Sequence, residues 1–98
     1  MSREEILSYL RDKKEEFFAD YQLSKLGLVG SFARGEASED SDIDLIIEFQ
    51  PNTQNLYEKK ERLRLSLRKR FDREIDLCRE KYIKPYFKNQ ILQSAIYV

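Results

Sequence analysis

A chain of 98 residues supports one domain with a single modest core, and no division into two. Charged residues make up 37% and hydrophobic ones 41%, which fits a globular protein with a heavily solvated surface and leaves no stretch apolar enough to span a membrane. Eighteen basic and eighteen acidic residues cancel; the single cysteine, Cys78, excludes an internal disulfide; and without a histidine there is no Ser-His triad, no imidazole base and no zinc site.

Residues 3–18 read as an amphipathic helix. Ser2 is placed to cap it, Glu4 and Glu5 sit in its first turn, and Ile6, Leu10, the stem of Lys14, Phe17 and Tyr21 fall on one stripe, widened by Leu7 and Phe18. A first strand is expected near 24–29, where the alternation of Leu26 and Leu28 with Gly27 and Val29 implies burial on both faces. The apolar run then stops at Gly30-Ser31. Gly30 allows close approach of a ligand to the backbone, Ser31 reads as the N-cap of a short turn through Phe32-Ala33-Arg34, and Gly35 closes that turn. The free N–H groups of such a turn favour a phosphate. Arg34 is placed to reach a phosphate or the acidic edge, or to brace the loop by a salt bridge, and Ser41 reads as a turn residue.

Two carboxylates separated by one residue, Asp42-Ile43-Asp44, lead into a second apolar run, Leu45-Ile46-Ile47. In an extended strand Asp42 and Asp44 share one face while Ile43 and Leu45 share the other. Like charges so close repel unless a cation sits between them, and hard oxygen ligands of this kind suit Mg²⁺. Gln50–Asn55 is a loop. A helix follows to about Arg70, with Asn55 as its cap, with Leu56, Lys60, Leu63, Leu67 and Phe71 inward and Arg62, Arg68 and Lys69 outward. The basic face of residues 59–73 reads as a solvated helix face, with RNA or an acidic partner surface as the rival. Residues 73–78 form a third strand, parallel to the second through a right-handed crossover. It carries Asp76, an acid that is costly in a buried strand unless paired or bound to a metal, and Cys78, read as a small buried hydrophobe. Pro85 opens a last helix, 85–94, and Ile96-Tyr97-Val98 docks onto the sheet or onto another chain.

The string Gly-Ser-Phe-Ala-Arg-Gly-Glu-Ala, followed by Ser-Asp-Ile-Asp-Leu, resembles the signature of the DNA polymerase β-like nucleotidyltransferase superfamily. Within it the chain is similar to the minimal nucleotidyltransferases, the MntA-like antitoxins paired with HEPN-domain toxins, many of which carry Arg where this chain has Phe32. The resemblance covers most of residues 1–98, read as a single domain. It implies a small α/β fold with a mixed sheet, helices packed mainly on one face and a polymerase β palm-like layout. It implies catalytic and metal-binding roles for Asp42, Asp44 and a third carboxylate, Asp76, which is also the candidate to take a proton, and nucleotide binding at Gly30, Ser31 and Arg34. The expected cofactors are two Mg²⁺ ions, with Mn²⁺ as a substitute. The expected reaction moves AMP from ATP to a hydroxyl of a partner protein, a HEPN ribonuclease toxin. Rival readings are a non-catalytic antitoxin that acts by binding, or transfer to a small molecule or an RNA end. No nucleic acid is expected as a direct ligand, and a cytoplasmic location is expected because Met1–Glu5 is no signal peptide.

Overall fold

The computed structural model describes residues 1–98, and its framework is a four-stranded sheet. Helix α1 (Arg3–Asp20) leads to strand β1 (Leu23–Val29), a five-residue helix α2 (Gly30–Arg34) and strand β2 (Ile43–Phe49). Helix α3 (Leu56–Phe71), strand β3 (Ile75–Arg79), a 3-10 turn (Glu80–Tyr82), helix α4 (Pro85–Gln93) and the short strand β4 (Ile96–Tyr97) complete the chain. The sheet runs in the order β3-β2-β1-β4; β1 is antiparallel to both β2 and β4, and β2 is parallel to β3 across the α3 crossover. This is the mixed sheet expected, with α1 and α3 against one face.

That face holds the core. From β1, Leu23, Leu26 and Leu28 point into it; an irregularity in the β1–β2 register between Leu23 and Lys25 keeps all three on one side despite their uneven spacing. Alternate residues of β2 (Ile43, Leu45, Ile47, Phe49) and of β3 (Ile75, Leu77) join them, with Ile6, Leu7, Leu10 and Phe17 of α1 and Leu63, Leu67 and Phe71 of α3 closing the layer. Each large aliphatic side chain taken out of water here contributes about 1.5–3 kcal/mol. The opposite face is thinner. Ile46 and Val29 are buried on it, beneath a cover made by Ile83 and Ile91, and no residue of α4 is fully buried.

Ser2 caps α1 as expected, accepting from Glu5 N–H at 3.2 Å. Three local expectations fail. Helix α2 begins at Gly30, so Val29 occupies the cap position and Ser31 lies inside the first turn, making no side-chain hydrogen bond there. Asn55 adopts a left-handed conformation (φ 57°) and its side chain caps nothing; Lys59 Nζ instead donates to Gln54 O at 2.6 Å, ordering the residues ahead of α3. Lys14 is exposed, its ammonium over the Phe18 ring at 5.4 Å. Gly35 does close α2, with φ 74° and its N–H donating to Phe32 O.

The C-terminal strand docks onto its own sheet. Gly27 pairs with Tyr97 and Leu28 with Ile96, and Val98 N–H donates to Leu26 O at 2.9 Å. Tyr97 Oη donates to Glu80 Oε1 at 2.9 Å, and Lys25 Nζ holds the other carboxylate oxygen at 2.6 Å. This pulls the Glu80 carboxyl below its ordinary range, while burial and the neighbouring carboxylate push the Tyr97 phenol up to about 12. The 3-10 turn is thereby tied to the sheet edge.

Candidate active site

Strand register places the acids. Val29 pairs with Asp44 across β1–β2, and Asp44 pairs with Asp76 across β2–β3, so the two carboxylates sit in neighbouring strands on the face away from the core. Asp42 lies one residue ahead of β2 and is exposed. Asp76 is exposed too: β3 is the edge strand, so the expected burial penalty at this position does not arise. Asp44 is partly buried and its carboxylate has no hydrogen-bond partner in the protein. Burial raises its carboxyl above the ordinary value, the Asp76 and Asp42 charges raise it further, and Arg34 only partly offsets them. A carboxylate in this position is short of positive charge.

Gly30 is needed beside it. Its φ is 73°, where a side chain is strained, and a Cβ there would lie 3.0 Å from the Asp44 Cγ and overlap its Oδ2. The motif's glycine and its second aspartate are thus in direct contact. Gly30, Arg34, Asp44 and Asp76 form one wall of a cavity of about 190 Å³, which Ile83 and Ile91 close from the other side. An apolar wall facing converging acids suits a ligand with a flat apolar part and an anionic part bridged by cations.

The loop that carries Asp42 is held from outside the motif. Arg73 donates to Ser41 O at 2.7 Å and to Ser38 O at 3.3 Å, and its guanidinium lies over the buried Phe32 ring at 5.2 Å. Ser41 Oγ accepts from Ser38 N–H at 2.8 Å, the turn role expected for it. Arg3 reaches Ala33 O at 3.1 Å. Arg34 pairs with Glu36 at 3.1 Å while lining the cavity, so it braces the loop and faces the acids at once. No motif marks Arg73 in the sequence; its position just ahead of β3, opposite a polar loop, is the available signal.

Cys78 departs from expectation. It is exposed and lines the cavity, its thiol donating weakly to Asp76 Oδ1 at 3.8 Å. Burial of the sulfur atom and the Asp76 charge push the thiol above its ordinary value, which keeps it protonated and a poor nucleophile.

No group of three acidic or cysteine side chains closes around a point that would hold a metal ion unaided. The donor chemistry nevertheless fits Mg²⁺. Arg34 only partly compensates Asp44, Asp76 and Asp42 flank it, and Mg²⁺ is commonly held by one or two carboxylates together with phosphate oxygens.

Residues 5–98 match the model of the nucleotidyltransferase domain family. The chain belongs to that family. This nucleotidyltransferase is 37% identical over 95 residues to a Methanocaldococcus jannaschii protein provisionally named a protein adenylyltransferase, covering 96% of this chain and 95% of the relative. It is 32% identical over 100 residues to the protein adenylyltransferase MntA of Thermococcus cleftensis, covering 100% of this chain and 97% of that one. A solved structure described provisionally as a minimal nucleotidyltransferase superposes with a TM-score of 0.78 at 31% identity, over 98% of this chain and 95% of the other. A toxin–antitoxin crystal structure with AMP-PNP shares the fold, with a TM-score of 0.67 at 20% identity over 88% of this chain and 69% of that one. No helix of this nucleotidyltransferase is long and apolar enough to cross a membrane.

Proposed function

We propose that this nucleotidyltransferase moves AMP from ATP to a hydroxyl of a partner protein, and that the partner is a HEPN-domain toxin which the transfer silences. The observation that carries the reading is the Gly30–Asp44–Asp76 arrangement: two acids in register on adjacent strands, one of them filling the space that a Cβ at Gly30 would take. The names of the two relatives support a protein acceptor, and the toxin–antitoxin neighbour supports the setting. The HEPN identity rests on the resemblance of the motif.

In this reading the backbone around Gly30 and Ser31, with Arg34, receives the triphosphate, and the cavity wall of Ile83 and Ile91 excludes water from the adenosine side. Asp42, Asp44 and Asp76 would hold Mg²⁺, which supplies charge neutralisation on the phosphates and a lower pKa for the attacking hydroxyl. The acceptor oxygen forms a bond to the α-phosphorus, the bond from that phosphorus to the β-bridging oxygen breaks, and pyrophosphate leaves. The hydroxyl proton passes to Asp76, the exposed acid at the sheet edge; no histidine competes for that role. Positioning and charge stabilisation carry most of such a reaction, which is why a small scaffold suffices.

The test uses purified protein, ATP, Mg²⁺ and a HEPN-domain protein as the candidate partner. Intact-mass spectrometry should show the partner gaining mass in steps of one AMP residue, and Asp42→Ala/Asp44→Ala should abolish the gain while circular dichroism stays native. Cells carrying the partner should lose protection with the same double variant. Full protection by a folded variant without transfer would show that neutralisation works by binding.

A further inference from the structure

Resting on that reading, a second groove bears on how the acceptor reaches the site. It has a volume of about 400 Å³ and shares Asp76, Cys78, Ile83 and Ile91 with the first cavity, so the two adjoin at Asp76. Its other walls include Lys60 of α3 and Phe87 of α4, helices on opposite faces of the sheet. A groove that touches both must pass around the open edge of β3. The same conclusion follows from its contact with the consecutive residues 76–79, whose side chains alternate between faces.

We infer that this groove receives an extended, acidic segment of the acceptor protein, laid along the outer edge of β3 so that its hydroxyl meets Asp76. The edge has no strand beyond it, and edge strands offer unpaired N–H and C=O groups to an incoming chain. The charge balance favours an acidic occupant. Lys60 and Lys84 line the groove and take part in no salt bridge, whereas Arg79 is neutralised by Glu48 at 3.0 Å; Asp76 is the one acid among the lining residues. Tyr82 of the 3-10 turn and Phe87 of α4, 67% and 47% exposed, provide apolar contact on that side of the groove. Two separated lysines on a chain of zero net charge are a poor footprint for an RNA backbone, which needs a basic stripe.

Fluorescence anisotropy with a labelled peptide of alternating Glu and Tyr, against a Lys-Tyr counterpart, tests the assignment. Wild type should bind the Glu-Tyr peptide at least about tenfold more tightly, and Lys60→Glu/Lys84→Glu should reverse that order. A Glu-Tyr peptide N-methylated at alternate backbone positions should bind about tenfold more weakly if its backbone pairs with the edge. Phe87→Ala, a milder change, should weaken the Glu-Tyr peptide by about fivefold. Calorimetry should show unchanged MgATP binding in all variants. Equal peptide affinity in wild type and the charge-reversed variant, no binding of either peptide by wild type, or displacement of the peptide by poly(U) at physiological salt would overturn the inference. The transfer assay separates the two readings. Undiminished AMP transfer to the partner by the charge-reversed variant rejects the groove and spares the transferase. Peptide binding that follows the lysines, in a wild-type protein that transfers no AMP, rejects the transferase and spares the groove.

Discussion

The two faces of the sheet are built to opposite standards. On one, Ile43, Leu45, Ile47 and Phe49 of β2 are buried with the partners supplied by α1 and α3. On the other, the residues between them, Asp44, Ile46 and Glu48, meet a thin cover whose helix buries nothing completely. The polar face is nevertheless aimed by the apolar one. A slip of one residue in β2 would send Asp44 into the core and its isoleucines to water, so burial of the greasy side holds the acids in register. Within the polar face the contrast repeats. Burial alone would raise Glu48, but the Lys81 N–H at 2.7 Å and the Arg79 guanidinium outweigh it and hold the carboxyl below its usual range. Asp44, on the same face of the same strand, has no such donors and moves upward. One acid is satisfied by the protein; the other is left for something else to satisfy.

Breaking the apolar face should do the most damage. Leu45→Ala should cost about 2–5 kcal/mol, read as a lower urea midpoint, and should abolish nucleotide binding along with the fold. Next comes the satisfied acid. Glu48→Ala strands Arg79, whose side chain is 15% exposed, and frees the Lys81 N–H, so a loss of roughly 1–3 kcal/mol is expected in the same titration. A smaller, pH-dependent effect lies at the sheet edge. Glu80 is depressed in the folded chain, so its contribution is present above its ordinary value of 4.5 and fades as pH falls through the folded value. Tyr97 is raised, so its contribution is complete below pH 10 and fades as pH climbs to about 12. Thermal melts of wild type and Tyr97→Phe should therefore converge across pH 10–12. The smallest change sharpens the contrast rather than breaking it. Asp44→Asn should leave stability unchanged or raise it by roughly 0.5 kcal/mol, about 2–4 °C in Tm for a domain of this length, because the charge it removes is opposed by its neighbours.

Regular burial and short-range spacing made most of the fold legible. The alternation in β1 and β2 and the 3.6-residue stripes of α1 and α3 survive in the structure with boundaries moved by one or two residues. The Gly30-Ser31 and Asp42-x-Asp44 pairing was visible because both ends of one hairpin carry it. What escaped depends on strand order or on a backbone detail. Arg73 meets Ser41 across 32 residues, and Glu80 of the 3-10 turn gathers Lys25 and Tyr97 from two strands; no linear pattern links them. Ser31 and Asn55 have the composition of caps, but the helix starts at Gly30 in the first case and the backbone turns left-handed in the second. Cys78 behaves as an exposed residue because β3 is an edge, a fact of sheet order rather than of residue type.

The contact between Gly30 and Asp44 also imposes an order on mutational decay. While the carboxylate keeps its place, a side chain at position 30 has to displace it and also takes a strained backbone angle. The converse does not hold: Asp44 can be lost while Gly30 stays, since removing a carboxylate only opens room. A lineage that kept this fold for docking alone would therefore shed the aspartate first, and the glycine only after it and with a compensating shift in the turn. Chains with the glycine but without the acid would be the expected relics of a recent loss of chemistry, and chains with the acid but a bulkier residue in place of the glycine should be the rarer kind.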